Sequence, residues 1–90
     1  MKRVTERVPL DVAAARLREW GQQRDRMGRF YSSELHRAAT LAGVIWPGVE
    51  FGNAQGAGRA AAAVLYKLNC RWTTRRDTWG YDLRSLDTHS

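Results

Sequence analysis

Hydrophobic side chains recur at helical spacing along the first part of this chain. Apolar residues at positions 10, 13, 14, 17 and 20 are separated mainly by charged ones, which is the period of an amphipathic helix. Pro9 can start this helix, and Asp11 suits its N-cap or its first turn, where the helix dipole favours an anion. The pattern predicts a helix of about three turns that ends near Gly21.

A second helical pattern begins after Arg29–Tyr31, a short piece that we expect to be a strand. Ser32 or Ser33 is the expected N-cap, with Glu34 in the first turn. The buried stripe is predicted to consist of four residues, Leu35, Ala38, Ala39 and Ala42. Because Gly43 follows that stripe directly, the helix is expected to end there.

A third helix is predicted after an irregular link. Residues 43–52 show no period, and Pro47-Gly48 within them indicates a turn. Asn53 is the expected N-cap of a helix that runs to about Leu68, and Asn69 suits a left-handed residue at its end. Each glycine at positions 52, 56 and 58 costs up to about 1 kcal/mol inside a helix. A later start at Ala57, with residue 55 left on a loop, is therefore the alternative.

The last patterned stretch alternates between two faces, as β-strands do. Residues 70, 72 and 74 share one face of the first run, and residues 79, 81 and 83 share one face of the second. The polar residues 76–78 between the two runs predict a turn, so the stretch is expected to be a β-hairpin.

This order of elements predicts a mainly helical α+β fold in one domain, with three helices and a C-terminal hairpin. We place a flexible arm at residues 1–8, the folded domain at 9–84 and a tail at 85–90. The start of the chain is charged and no apolar run follows it, so neither a signal peptide nor a membrane span is expected. Cys70 is the lone cysteine, which excludes a disulfide within the chain, and we expect a cytoplasmic protein.

The charge balance points to a class of partner. The chain has 15 Lys and Arg residues against 9 Asp and Glu, a net charge of +6. A small domain this basic usually binds a polyanion, either a nucleic acid or an acidic membrane. Thirteen of the cations are Arg, whose planar guanidinium pairs bidentately with phosphate and with guanine edges. A GC-rich genome explains the excess of Arg over Lys equally well, but it does not explain the net charge.

One face of the third helix carries the residues that a helix in the DNA major groove needs. At 100° per residue, Gln55, Arg59, Ala62 and Tyr66 fall together, and apolar residues 57, 60, 61, 64 and 68 lie opposite. Arg59 can donate two hydrogen bonds to guanine, Gln55 can pair bidentately with adenine, and the small Ala62 allows close approach to the bases. Tyr66 and Lys67 lie later and suit phosphates. The alternative is an Ala-rich helix whose polar face is only solvated.

Two consecutive segments resemble one known superfamily. Residues 64–70 and the basic, aromatic run 71–81 resemble the end of the recognition helix and the wing of winged helix-turn-helix proteins, particularly small phage and mobile-element ones. Residues 30–35 resemble their short strand and capped second helix. The resemblance covers roughly residues 10–84 and implies double-stranded DNA binding by a transcriptional regulator or accessory factor. It implies that four wing residues contact phosphates or the minor groove: Arg71, Thr73, Arg75 and Arg76.

The link between the second and third helices is longer than the tight turn usual in that superfamily. Trp46 and Phe51 lie on it and either fold back over the core or form a contact surface. The second alternative corresponds to a protein-interaction module on the same scaffold, such as a phage-type inhibitor of a host machine. A second copy of the chain is a further candidate partner, because a palindromic DNA site binds two domains.

The sequence gives little support for nucleotide binding, metal binding or catalysis. Residues 52–59 are rich in glycine, but no Lys-Ser or Lys-Thr pair follows, as a P-loop requires. His36, His89 and Cys70 lack the spacing of metal ligands, and no residues are spaced for catalysis. We therefore expect no enzymatic activity, no cofactor and no metal.

Overall fold

The computed structural model of the protein describes residues 7–21, 33–73 and 80–88. Several predicted features lie outside these residues: most of the N-terminal arm, the strand Arg29–Tyr31, and residues 74–79 of the hairpin, which include its turn, Arg75 and Arg76.

Helices precede the hairpin in the described chain. They are α1 (Leu10–Gly21), α2 (Glu34–Ile45) and α3 (Ala54–Lys67). An antiparallel pair follows, β1 (Trp72–Thr73) with β2 (Gly80–Tyr81), and then a 3₁₀ helix, Arg84–Thr88. The predicted α+β, mainly helical layout is confirmed, and it is consistent with a winged helix.

α1 lies where the periodic pattern predicted a helix. The Pro9 carbonyl oxygen accepts a 3.0 Å hydrogen bond from the Ala13 amide, and Asp11 occupies the first turn. The apolar stripe faces the core as expected, with three buried side chains: Ala13, Ala14 and Leu17. Leu10, at the start of the stripe, is exposed.

α2 extends further than predicted. Ser33 caps it, because Ser33 Oγ accepts a 3.2 Å hydrogen bond from the His36 amide. The expected end at Gly43 is wrong, since the helix continues to Ile45, whose side chain is fully buried. Burying Ile stabilises a fold by about 1.5–3 kcal/mol, more than the roughly 1 kcal/mol that a helical glycine costs. Arg16 secures this end by donating from Nη1 to the Ile45 carbonyl oxygen at 2.7 Å.

The buried face of α2 is rotated relative to the predicted stripe. Leu35, expected in the stripe, is 43% exposed, and Ala39 is only half-buried. The buried residues are instead Arg37, Ala38, Leu41, Ala42 and Ile45. The reason is that α2 packs against both α1 and α3, so a different and wider face is covered.

α2 and α3 pack closely at Gly58. A Cβ atom there would lie 2.6 Å from Leu35 Cδ1 and 3.0 Å from the Leu35 carbonyl oxygen. A larger residue therefore does not fit unless its neighbours shift. Glycine weakens an isolated helix, but at position 58 it allows α2 and α3 to pack tightly.

The link between α2 and α3 covers the core. Trp46 is 7% exposed, and its ring meets the half-buried Phe51 ring edge to face at 5.8 Å between centroids. The turn predicted at Pro47-Gly48 is present, because Gly48 has φ 78° and the Val49 amide donates to the Trp46 carbonyl oxygen at 3.2 Å. Trp46 thus belongs to the core rather than to a contact surface.

The predicted hairpin is confirmed, with Trp72 opposite Tyr81 and Thr73 opposite Gly80. The Trp72 and Tyr81 rings meet edge to face at 5.5 Å between centroids, and Tyr81 is buried. These two aromatics therefore share the inner face of the hairpin, as the alternation predicted.

The predicted tail at 85–90 starts too early. Residues 84–88 form a 3₁₀ helix, and Leu86 is 1% exposed within the same core as Leu68 and Cys70. Ser85 Oγ also donates to the Leu68 carbonyl oxygen at 3.2 Å. One apolar residue in a polar segment produces no periodic signal, so only tertiary packing reveals its burial. Within the described ranges, no helix has the length and apolar character to cross a membrane.

Candidate nucleic-acid interface

α3 presents one face to the core and the other to solvent. The predicted packing face is confirmed in part: Ala57, Ala61 and Leu68 are buried, and the other two residues of that face are half-buried. Gly58 and Leu65, which the prediction did not include, are buried as well. Gln55, Arg59 and Tyr66 are exposed on the opposite side, and Ala62 beside them is half-buried. The structure therefore brings the predicted base-contacting residues together on one accessible strip of helix.

The start of α3 is capped by Asn53. Its Oδ1 accepts a 2.7 Å hydrogen bond from the Gly56 amide, and the helix begins at Ala54. The alternative start at Ala57 is wrong, so Gln55 lies in the first helical turn and Arg59 one turn later. Both side chains project from the N-terminal half, the part of a recognition helix that usually reaches bases.

The end of α3 has the hydrogen bonds of a Schellman motif. The Cys70 amide donates to the Leu65 carbonyl oxygen at 2.8 Å, and the Asn69 amide donates to the Tyr66 carbonyl oxygen at 3.0 Å. Asn69 has φ 61°, which confirms the left-handed conformation predicted for it. This reversal turns the chain back along the helix, so that Arg71 passes beside Tyr66.

Tyr66 and Arg71 are in contact on the surface. Tyr66 is 49% exposed, and Arg71 Cζ lies 5.6 Å from the centroid of its ring, a cation–π geometry. Lys67, the next residue on α3, is also exposed. Of the wing residues implied by the resemblance, Arg71 is exposed and Thr73 half-buried, whereas Arg75 and Arg76 lie outside the described residues.

Two α2 residues contact the hairpin: Glu34, which the sequence placed in the first helical turn, and Arg37, which it did not single out. Tyr81 Oη donates a 2.9 Å hydrogen bond to Glu34 Oε1. Burial raises the pKa of Tyr81 above its usual range, and the hydrogen bond and charge of Glu34 raise it further. Arg37 is 6% exposed, and its Nε and Nη2 lie 2.5 Å from where a Cβ on Gly80 would be. The burial of Arg37 had one signal in the sequence, its position one turn before Leu41 on the face of α2 that is buried.

A groove of about 320 Å³ lies where α2, α3 and the hairpin meet. Its lining includes Leu35, Gly58, Arg59, Ala62 and Tyr81. Two of the predicted base-contacting residues thus border an apolar recess, so this surface combines a hydrogen-bond donor with small apolar contacts.

The chain from α3 into β1 carries only basic charges. Between Glu50 and Asp77 the sequence contains five cations and no acidic residue. Three of the cations, Arg59, Lys67 and Arg71, are exposed in the structure. A phosphate backbone placed along α3 and β1 would therefore meet positive charge without repulsion from carboxylates carried on these two elements.

The described residues offer no group of three or more side chains able to hold a metal ion. Cys70 is buried, its Sγ lies 3.4 Å from Ser85 Oγ, and burial raises the pKa of its thiol. A buried thiol with a raised pKa is a poor nucleophile, so Cys70 serves packing.

Comparison of the chain with protein-family models, with curated proteins and with solved structures found no match in any of the three.

Proposed function

We propose that this protein binds double-stranded DNA as a winged helix, with α3 lying in the major groove and the hairpin beside it. The observation that carries the proposal is the exposed strip of α3, on which Gln55 and Arg59 project from a capped first half and small alanines lie between cations. A groove about 12 Å wide admits a helix only if the face turned to the bases is small or can form hydrogen bonds.

Each side chain has a distinct role in this arrangement. Arg59 donates two hydrogen bonds to guanine, and Gln55 pairs with adenine through its amide. Ala62 lies against the bases, where its methyl group suits a thymine methyl. Lys67 and Arg71 bind phosphates, and so do Thr73, Arg75 and Arg76 on the hairpin. The binding surface uses no catalytic group, so we propose a binding protein rather than an enzyme.

The wider role follows from this binding. We assign the protein to transcriptional regulation or to a phage-type accessory step, acting on DNA in the cytoplasm. Two copies would bind a palindromic site, because one small domain covers a limited length of duplex. The alternative of a protein-interaction module is weakened, since Trp46, half of its proposed surface, is buried.

Binding of fluorescent 30-base-pair random duplexes at ~50 and ~200 mM salt tests the proposal through fluorescence anisotropy. We expect the affinity for random duplexes to fall steeply as the salt concentration rises. On a site selected from those duplexes, we expect Arg59→Ala to weaken binding by about fivefold to 150-fold. Arg7→Ala is the matched control, because Arg7 borders Pro9, Val12 and Val49 on a different side of the fold. Wild-type protein that fails to bind at low salt, or equal losses for both variants, would contradict the proposal.

A further inference from the structure

The main chain at Arg71 is fixed from both directions. The Schellman motif holds residues 69 and 70 against the end of α3. The Arg71 carbonyl oxygen accepts a 2.8 Å hydrogen bond from the Asp82 amide, and Trp72 directly after it pairs with Tyr81. The Cα of Arg71 therefore has a defined position, and the side-chain torsions are its remaining freedom.

The Tyr66 ring restricts those torsions. Arg71 Cζ lies over the ring, 5.6 Å from its centroid, and the guanidinium remains exposed to solvent. A guanidinium held over a ring keeps its N–H donors available, because the cation–π attraction uses its charge and not its hydrogen bonds. The pair thus presents a prearranged set of donors at the junction between α3 and the hairpin.

We propose that Tyr66 is a positioning residue, which holds the Arg71 guanidinium in place for a DNA phosphate through its ring and not through its hydroxyl. The inference rests on the proposed DNA binding and revises the role that the sequence gave Tyr66, that of a phosphate contact itself. Arg71 would otherwise lose side-chain entropy on binding, and the ring removes part of that cost in advance.

The contact itself can be measured without DNA. In the unbound protein, the ring current of Tyr66 shifts the NMR signals of the Arg71 δ protons upfield. We expect Tyr66→Phe to keep this shift and Tyr66→Leu to abolish it, since Leu fills space on the helix but has no ring. An unshifted wild-type signal would overturn the inference before any binding experiment.

The effect on DNA binding is measured with a double-mutant cycle at ~50 mM salt. We expect Tyr66→Phe to bind as tightly as wild type and Tyr66→Leu to bind about twofold to fivefold more weakly. In the Arg71→Ala background, Tyr66→Leu should have no further effect. In the Arg59→Ala background it should keep its full effect, because Arg59 is a cation that Tyr66 does not hold.

The outcomes separate the inference from the proposed function. If wild-type protein does not bind DNA, the proposed function fails and the inference fails with it. If wild-type protein binds but Tyr66→Phe is as weak as Tyr66→Leu, the hydroxyl makes the contact and the inference alone is wrong. Independent, multiplying losses in Tyr66→Leu and Arg71→Ala would also overturn it.

Discussion

Gly43 and Gly58 are both glycines within helices, but their surroundings are opposite. Among the described residues, nothing lies within 4 Å of the position that a Cβ of Gly43 would occupy. At Gly58 that position is filled by the side chain and carbonyl oxygen of Leu35. Helix propensity therefore decides the effect of a substitution at one site, and packing against α2 decides it at the other.

We expect Gly43→Ala to stabilise the fold by about 0.5–1 kcal/mol, since Ala loses less backbone entropy than Gly in a helix. Gly58→Ala should instead destabilise it by about 1–3 kcal/mol, because Leu35 and the α2 backbone must move. Urea unfolding followed by circular dichroism measures both changes. A stabilised Gly58→Ala variant would show that the two helices can separate without cost.

Tyr81 links stability to alkaline pH. Its pKa is higher in the folded chain than in the unfolded one because of burial and Glu34, so its contribution is fully present at neutral pH. That contribution is lost as the pH rises above about 10, where the unfolded tyrosine ionises. We expect Tyr81→Phe to cost about 1–2 kcal/mol at pH 7, through the lost hydrogen bond to a carboxylate, and to show a smaller alkaline loss than wild type.

Unfolding free energies at pH 7 and above pH 10 check this expectation. Tyr66→Phe is the control at pH 7, because it leaves the hydrogen bond between Tyr81 and Glu34 in place; above pH 10 it also removes a charge that raises the pKa of Tyr81. The buried Cys70 thiol, whose pKa is also raised, is present in every variant, so differences between variants isolate Tyr81. Parallel pH curves for wild type and Tyr81→Phe would rule out this linkage.

At the scale of elements, the ends of α3 are fixed by local hydrogen bonds. Asn53 caps its first turn, and the left-handed Asn69 reverses the chain at its end. Both motifs depend on residues a few positions apart, so they can be predicted from the sequence. They also fix where Gln55 and Arg71 lie at either end of the exposed strip.

Replacing the cap of α3 should separate stability from DNA affinity. We expect Asn53→Ala to cost about 1 kcal/mol of stability, since the amides of the first turn lose their acceptor. Asn53→Asp should keep that stability, because Asp caps equally well, yet weaken DNA binding by placing a carboxylate near phosphates. Thermal unfolding and anisotropy titration of the two variants test both parts, and unchanged binding by Asn53→Asp would place the DNA elsewhere.

The sequence predicted the elements whose signals are local and missed those that depend on tertiary contacts. The caps at Ser33 and Asn53 and the hairpin pairing followed from short motifs, and the exposed face of α3 followed from its period. The continuation of α2 through Gly43 depends on a buried position for Ile45, which lies against other elements. The burial of Arg37 against Gly80 also depends on tertiary packing, and its position one turn before Leu41 is a weak signal because a lone arginine on a helix is usually solvated.

At the scale of the whole molecule, the core includes the far end of the described chain. Leu86 packs into the core with Leu68 and Cys70, and Arg18 of α1 donates to the Leu86 carbonyl oxygen at 3.4 Å. The 3₁₀ helix thus contacts both α1 and the end of α3. The free energy of unfolding of a small domain is only about 5–15 kcal/mol. The burial of Leu86 therefore contributes a large fraction of it.

Shortening the chain tests whether residues 85–88 are needed for a stable core. We expect Leu86→Ala to cost about 2–5 kcal/mol, and a chain that ends after Arg84 to lose cooperative unfolding. A chain that ends after Thr88 is the control, since it removes only two residues and should unfold like wild type. Equal stability of the two shortened chains would mean that residues 85–88 are dispensable.

The contacts between the hairpin and α2 limit the length of the DNA site in the proposed complex. Glu34 binds Tyr81, Arg37 packs against Gly80, and Gly58 packs α3 against the same helix, so both elements rest on α2. Their separation is then constant, and in the proposed DNA complex it would match a single spacing between the bases contacted by α3 and the phosphates contacted by the hairpin. One inserted base pair moves those targets apart by about 3.4 Å, and the protein would keep one set of contacts and lose the other.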